Sequence, residues 1–151
     1  MGDIYDGKVW KEFLDSNGKD YFSSRGNMGV MLNVDWFQPF KHINYSCGVI
    51  YMVLANLPRE ERFKPENVMI FGVIPGPSEP KGNMNTFLKP IVNELLDLWN
   101  GVTIKSIPGV GTLKIKVALL ALCCDIPAAR KCGGFAGHSA RKGIKSNLDS
   151  Y

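Results

Sequence analysis

Residues 117–125 read VALLALCCD, an apolar run that ends in an acid, and residues 28–35 read MGVMLNVD and end in the same way. Short apolar runs of this kind favour strands buried in a sheet, with a buried helix as the competing interpretation. A carboxylate at the end of a rigid strand is a hard oxygen ligand, and two of them can hold divalent metal ions beside a phosphate. Asp35 and Asp125 are therefore candidate metal ligands. The alternative is that both strands simply end in turns.

The segments between these two acids predict the order of a mixed sheet. Strand-like runs cover residues 28–37, 47–54 and 67–74, and the second and third are apolar enough to be covered on both faces. A proline-rich loop at residues 75–82 precedes an amphipathic helix that ends near Asn100. Alternating apolar and polar residues at 102–107 and 112–117 predict a hairpin whose second arm continues to Asp125.

This order predicts where the two acids meet. A helix between the third strand and the hairpin can return the chain parallel to the first strand. The Asp125 strand would then lie beside the Asp35 strand. The predicted fold class is therefore α/β, a ribonuclease H-like mixed sheet with flanking helices, incomplete at its C-terminus.

The bulk composition is that of a globular chain. It has 151 residues, 45% of them hydrophobic and 21% charged, which is enough for one domain with a core. No apolar run approaches the ~18 residues that span a membrane, and residues 1–7 do not resemble a signal peptide. The four cysteines form no Cys-x-x-Cys pair, so reduced thiols are expected.

The net charge of +4 is concentrated at one end of the chain. Residues 1–125 hold 13 basic and 13 acidic side chains, whereas residues 126–151 hold five basic and one acidic. A basic segment that directly follows a candidate metal ligand suits a polyanionic substrate. A solvated tail explains the same five charges equally well.

Seven short motifs occur in an order that resembles the transposase of CACTA-type (En/Spm-like) DNA transposons. They are DWFQPF (35–40), NLP (56–58), PGP with EP (75–77, 79–80), NTFLKP (85–90), ELLDLW with GV (94–99, 101–102), CDIPAARK (124–131) and GFAGHSA (134–140). The resemblance covers nearly the whole chain. It implies a DDE/D transposase of ribonuclease H-like fold that cuts and rejoins DNA with two divalent metal ions, Mg²⁺ or Mn²⁺.

The resemblance also assigns roles to individual residues. Asp35 matches the first catalytic acid of the family and Asp125 the second. The third acid lies further downstream in the family, beyond residue 151, so this polypeptide alone is expected to be inactive. His138 matches a histidine that the family follows with Gly-Cys-x-x-Cys, but here Gly143 is followed by IKSN. Structural zinc needs four ligands, so His138 marks a degenerate zinc position and zinc is not expected.

The resemblance divides the chain into a lead-in segment, residues 1–27, and a partial catalytic domain, residues 28–151. Two functions stay open: a transposase catalytic domain, or a degenerate remnant that binds DNA or a protein partner without catalysis. A truncated, marginally folded product is the blandest interpretation.

The expected partner is transposon-end DNA, bound in the nucleus and without membrane contact, and homo-oligomers are left open. The candidate DNA-contacting residues are Arg130, Lys131, Arg141 and Lys142, whereas Trp36 and Phe37 are expected to pack within the protein.

Overall fold

The computed structural model describes residues 2–80, 84–107, 109 and 111–133 of the chain. These residues contain strands β1 (Asn27–Phe37), β2 (Cys47–Leu54), β3 (Val68–Ile74), β4 (Val102–Ile107) and β5 (Gly111–Cys124). Their helices are α1 (Lys8–Lys11), α2 (Arg59–Arg62), α3 (Asn85–Asn100) and α4 (Ile126–Cys132), and single 3-10 turns lie at Ile4–Asp6, Tyr21–Ser23 and Pro65–Asn67. No helix in the described ranges is long and apolar enough to cross a membrane.

The strands form one sheet in the order β3-β2-β1-β5-β4. β1 and β2 are antiparallel. Near the start of β1 the Gly29 carbonyl accepts from the Ala55 amide, which follows β2, and near the end of β1 the Trp36 ring lies over Gly48 at the start of β2. β1 and β5 are parallel. The Lys116 amide donates to the Gly26 carbonyl, and further along both strands Leu120 lies against Gly29. β4 pairs with β5 in the antiparallel sense. The predicted α/β mixed sheet is therefore confirmed, and so is the position of the β5 strand beside β1.

Close approach of β1 to β5 depends on two glycines. A Cβ on Gly26 would lie 2.5 Å from the Lys114 carbonyl oxygen, and a Cβ on Gly29 would lie 2.5 Å from Leu120 Cδ1. Gly26 also has a φ of +95°, in the region that glycine adopts without steric cost. A side chain at residue 26 would therefore push the two strands apart.

The prediction that β3 is covered on both faces is wrong. β3 lies at the edge of the sheet, where Ile70 is 70% exposed and Val73 is 62% exposed. An edge strand has a neighbour on one side only, so an apolar sequence does not guarantee burial. The short helix α1 ends at Lys11. The chain turns back there because the Asp15 carboxylate accepts from the amides of Asn17 and Lys19.

Contacts divide the chain into two compact units. The first unit comprises Met1–Met31, Val53–Met69 and Asn93–Ala121. The core of this unit is formed by Met31, Val53 and Ala55, against which Trp10 and Leu120 pack. The second unit comprises Leu32–Met52, Ile70–Val92 and Leu122–Tyr151. Its buried apolar residues include Val34, Ile50, Met52, Ile74, Met84, Leu88 and Ile91.

The beginning of the chain is tied into the first unit by a buried arginine. Arg62 is 4% exposed, and its guanidinium donates to the Asp3 carboxylate at 2.8 Å and to the Leu57 carbonyl at 2.9 Å. The Tyr5 hydroxyl donates to the same Leu57 carbonyl. Residues 2–31 therefore pack with residues 53–69. The division between a lead-in segment 1–27 and a domain 28–151 stays a prediction.

The β1–β5 contact can be tested with a pair of matched glycine variants. Gly26→Ala should lower the free energy of unfolding by about 1–3 kcal/mol more than Gly18→Ala, because only the first variant drives a methyl group into a strand. Gly18 has a comparable positive φ of +74° but open space around its Cβ position. Urea denaturation followed by circular dichroism measures both. Equal decreases in stability would contradict the assigned contact.

Candidate active site

Asp35 is an exposed carboxylate near the end of β1, and the packing of its neighbour orients it. The ring of Trp36 lies on Gly48, where a Cβ would come within 2.9 Å of the indole. Since side chains alternate along a strand, Asp35 leaves β1 on the face opposite to Trp36. Asp35 Oδ1 accepts from the Trp36 amide at 2.9 Å. The predicted packing role of Trp36 agrees with its contact on Gly48, whereas that of Phe37 is wrong, since its side chain is exposed at the end of the strand.

Asp125 follows the last residue of β5 and begins α4. Its Oδ1 accepts from the Ala128 amide at 2.8 Å, and its carbonyl accepts from the Ala129 amide at 2.8 Å. This is the geometry of a helix N-cap. Ala128 is buried, so the first turn of the helix is anchored. The carboxylate therefore has a structural role as a helix cap, a role of the kind that the turn alternative allows. It remains exposed to solvent.

The parallel pairing of β1 and β5 brings the two acids to the same edge of the sheet. Asp35 lies two residues before the end of β1, and Asp125 directly follows the last residue of β5. Because β1 and β5 are parallel neighbours, their C-terminal ends lie at the same edge.

Tyr51 on β2 is a third member of this site, and sequence reasoning did not single it out. Burial raises the pKa of its phenol, and the charges of Asp35 and Cys123 raise the pKa further. Asp35 belongs to β1 and Cys123 to β5, so Tyr51 lies near residues of the next two strands of the sheet. The signal in the sequence was weak, since Tyr51 is one aromatic residue within an apolar run.

The remaining predicted residues are placed only in part. Arg130 is half-buried on α4, within two turns of Asp125. Lys131 belongs to the same helix, and its side chain is not among those that the structure describes. His138, Arg141 and Lys142 lie outside the described residues.

The two units differ sharply in charge. The sequence of the first unit holds 10 basic and 10 acidic residues, and that of the second unit holds eight basic and four acidic residues. The whole net charge of +4 therefore belongs to the unit that contains Asp35 and Asp125. A net positive charge favours the binding of polyanions.

The two carboxylates fit part of a divalent metal site. Both are exposed, and the backbone amides that bind Oδ1 of each leave the second oxygen unused by those bonds. Within the described ranges, no group of three or more His, Cys, Asp or Glu side chains is placed to hold a metal ion. Mg²⁺ is commonly held by one or two carboxylates, with water and substrate phosphates as the other ligands. Two carboxylates suit a site of that kind.

Comparison with protein families decides the ancestry. The family model described as transposase family tnp2 matches residues 2–151. The chain belongs to this transposase family. The resemblance to a transposase, derived from the ordered motifs, is thus confirmed. No curated protein and no solved structure matched this transposase.

Two variants of Asp125 in the transposase separate capping from chemistry. Asp125→Asn should keep the stability within a few tenths of a kcal/mol, because asparagine is an equally good N-cap, whereas Asp125→Ala should cost about 0.5–2 kcal/mol. Thermal unfolding of both variants measures this difference. If the two variants are equally stable, the side chain does not cap α4.

Proposed function

We propose that the chain provides the catalytic acids Asp35 and Asp125 of a CACTA-type DNA transposase, on a ribonuclease H-like sheet. The observation that carries the proposal is the parallel pairing of β1 and β5, which puts the strand ends that carry Asp35 and Asp125 at the same edge of the sheet. Membership of the tnp2 transposase family supports it. The reaction is cleavage of a DNA strand and transfer of its end to a new site.

Asp35 and Asp125 would hold Mg²⁺ or Mn²⁺ through the oxygens that face solvent. Such ions, when bound, activate water or a 3′-hydroxyl and stabilise the leaving oxygen. The residues of this chain supply position. Asp35 is oriented by the Trp36 amide and Asp125 by the start of α4. Tyr51 keeps its proton at neutral pH, because burial and the Asp35 charge both raise its pKa, so its hydroxyl can donate towards a phosphate.

DNA would be bound by the basic residues that follow Asp125. Arg130 and Lys131 lie on α4, directly after the acid that caps the helix. Arg141 and Lys142 continue the same basic sequence. The charge of +4 in the second unit makes this unit the one that a phosphate backbone approaches. A DNA substrate also supports the proposal of nuclear localisation.

Metal binding tests the acidic site without requiring turnover. The full chain should bind Mn²⁺, and Asp35→Asn and Asp125→Asn should each weaken binding at least tenfold (about 1.4 kcal/mol), because each variant removes a carboxylate ligand. Isothermal titration calorimetry measures this affinity. Asp97→Asn, an exposed acid on α3, is the matched control and should leave the affinity unchanged. Unchanged affinity in both site variants would rule out the metal site, and DNA binding without metal would favour the degenerate remnant.

The salt dependence of DNA affinity tests the basic helix. Removing one side chain that neutralises a phosphate should reduce the slope of log K against log salt by about 0.9. We expect a reduction of about 1.8, twice that of a single side chain, in Arg130→Ala/Lys131→Ala, measured by fluorescence anisotropy on a duplex. Lys105→Ala/Lys114→Ala removes the same charge from the β4–β5 hairpin and should leave the slope unchanged. If both double variants change the slope equally, the binding is a general charge effect.

A further inference from the structure

The loop that joins β1 to β2 presents an exposed aromatic ring close to the acidic site. This loop, residues 38–46, leaves β1 directly after Phe37. Phe40 is 51% exposed, and its ring meets the Tyr45 ring edge-on, with centroids 5.8 Å apart at 72°. A phenylalanine with half of its surface in water forgoes the burial that usually stabilises aromatic residues. Its exposed surface is therefore available to a ligand.

The loop is held in place by residues 75–77, so the ring is presented on a fixed support. The Ser46 amide donates to the Pro77 carbonyl at 2.9 Å, and the Gly76 amide donates to the Tyr45 hydroxyl at 3.2 Å. A Cβ on Gly76 would lie 2.5 Å from the Ser46 carbonyl and 2.7 Å from the Tyr45 ring. Only glycine permits this approach. Tyr45 is thereby fixed under Phe40, which reduces the entropic cost when a ligand stacks on the ring.

The charge around Phe40 selects the kind of ligand. Residues 38–46 contain Lys41 and His42, both exposed, and no acid. An aromatic ring beside a cation is the arrangement that stacks a nucleobase and contacts its phosphate. Bases inside a duplex are already stacked on each other, so the ring can receive only an unpaired base. An apolar protein partner would gain nothing from the adjacent cation.

The position of Phe40 connects it to the acids. Phe40 is five positions beyond Asp35, a distance of at most roughly 18 Å along an extended chain. An unpaired base on Phe40 would thus lie within a few nucleotides of a phosphate held at Asp35.

We propose that Phe40, supported by Tyr45, is a stacking platform for an unpaired DNA base beside the acidic site, with Lys41 on the neighbouring phosphate. The inference rests on the proposed function, because it names the form of DNA that the same site receives. A DNA strand becomes single-stranded when its end is separated from a duplex for transfer, and the platform would receive it in that form.

The test compares single-stranded and duplex DNA binding by the full chain. The probes are a fluorescein-labelled oligothymidine that contains one 2-aminopurine, and a labelled duplex of the same length. Phe40→Ala should lower the single-strand affinity about tenfold, as expected for the loss of one base stack, and abolish the quenching of 2-aminopurine. Its duplex affinity should stay unchanged. Phe40→Trp should retain both single-strand affinity and quenching.

Two further variants control for the loop itself. Ile43→Ala removes another exposed apolar side chain, 61% exposed, from the same loop and should leave single-strand affinity unchanged. Tyr45→Phe removes the hydroxyl that accepts from Gly76 and should weaken stacking less than Phe40→Ala. Equal effects of Phe40→Ala and Ile43→Ala would overturn the platform, and so would an equal weakening of single-strand and duplex binding.

Failure of this inference can be separated from failure of the proposed function. If the chain binds Mn²⁺ and duplex DNA while Phe40→Ala has no effect on single strands, the platform is wrong and the acidic site stands. If Mn²⁺ binding does not depend on Asp35 or Asp125, the proposed function is wrong whatever Phe40 does. If the chain binds no single-stranded DNA, the platform is overturned.

Discussion

The parallel contact between β1 and β5 is the constraint on which the candidate site depends. Antiparallel hairpins form between segments that are close in sequence, but these two strands meet across almost the whole described chain. Their approach is possible because Gly26 and Gly29 present no side chain to Lys114 and Leu120. The same contact places the C-terminal ends of the two strands, and with them Asp35 and Asp125, at the same edge of the sheet.

Each acid of the site is tied to the fold before any ligand arrives. One oxygen of Asp35 is bound by the amide of Trp36, whose ring packs on Gly48, and one oxygen of Asp125 is bound by the first turn of α4. These bonds limit the rotation of both carboxylates. A site that needs no reorganisation stabilises developing charge more effectively than a flexible one. The chemical role proposed for Asp35 and Asp125 would therefore coexist with a structural one in the same side chains.

Charge and packing are distributed differently over the two units. The first unit is neutral and contains the aromatic residues that surround Tyr21, whose ring stacks on Trp99 at 5.5 Å and whose burial raises its pKa to about 12. The second unit contains the net charge, the candidate acids and the exposed Phe40 loop. Membership of the tnp2 transposase family gives this separation a purpose, since a transposase must hold a polyanion.

The sequence by itself determined the strands, the long helix and the family, because each of these depends on residues close together in the chain or on motifs in a fixed order. Periodicity predicted the hairpin that continues to Asp125, and the helix from residue 85 to Asn100. Only the tertiary structure decided that β3 is an exposed edge, that Tyr51 lies near Asp35 and Cys123, and that Gly76 supports Tyr45 under Phe40. The last two features join residues 16 to 72 positions apart, and no local pattern reports which distant side chains will share a surface.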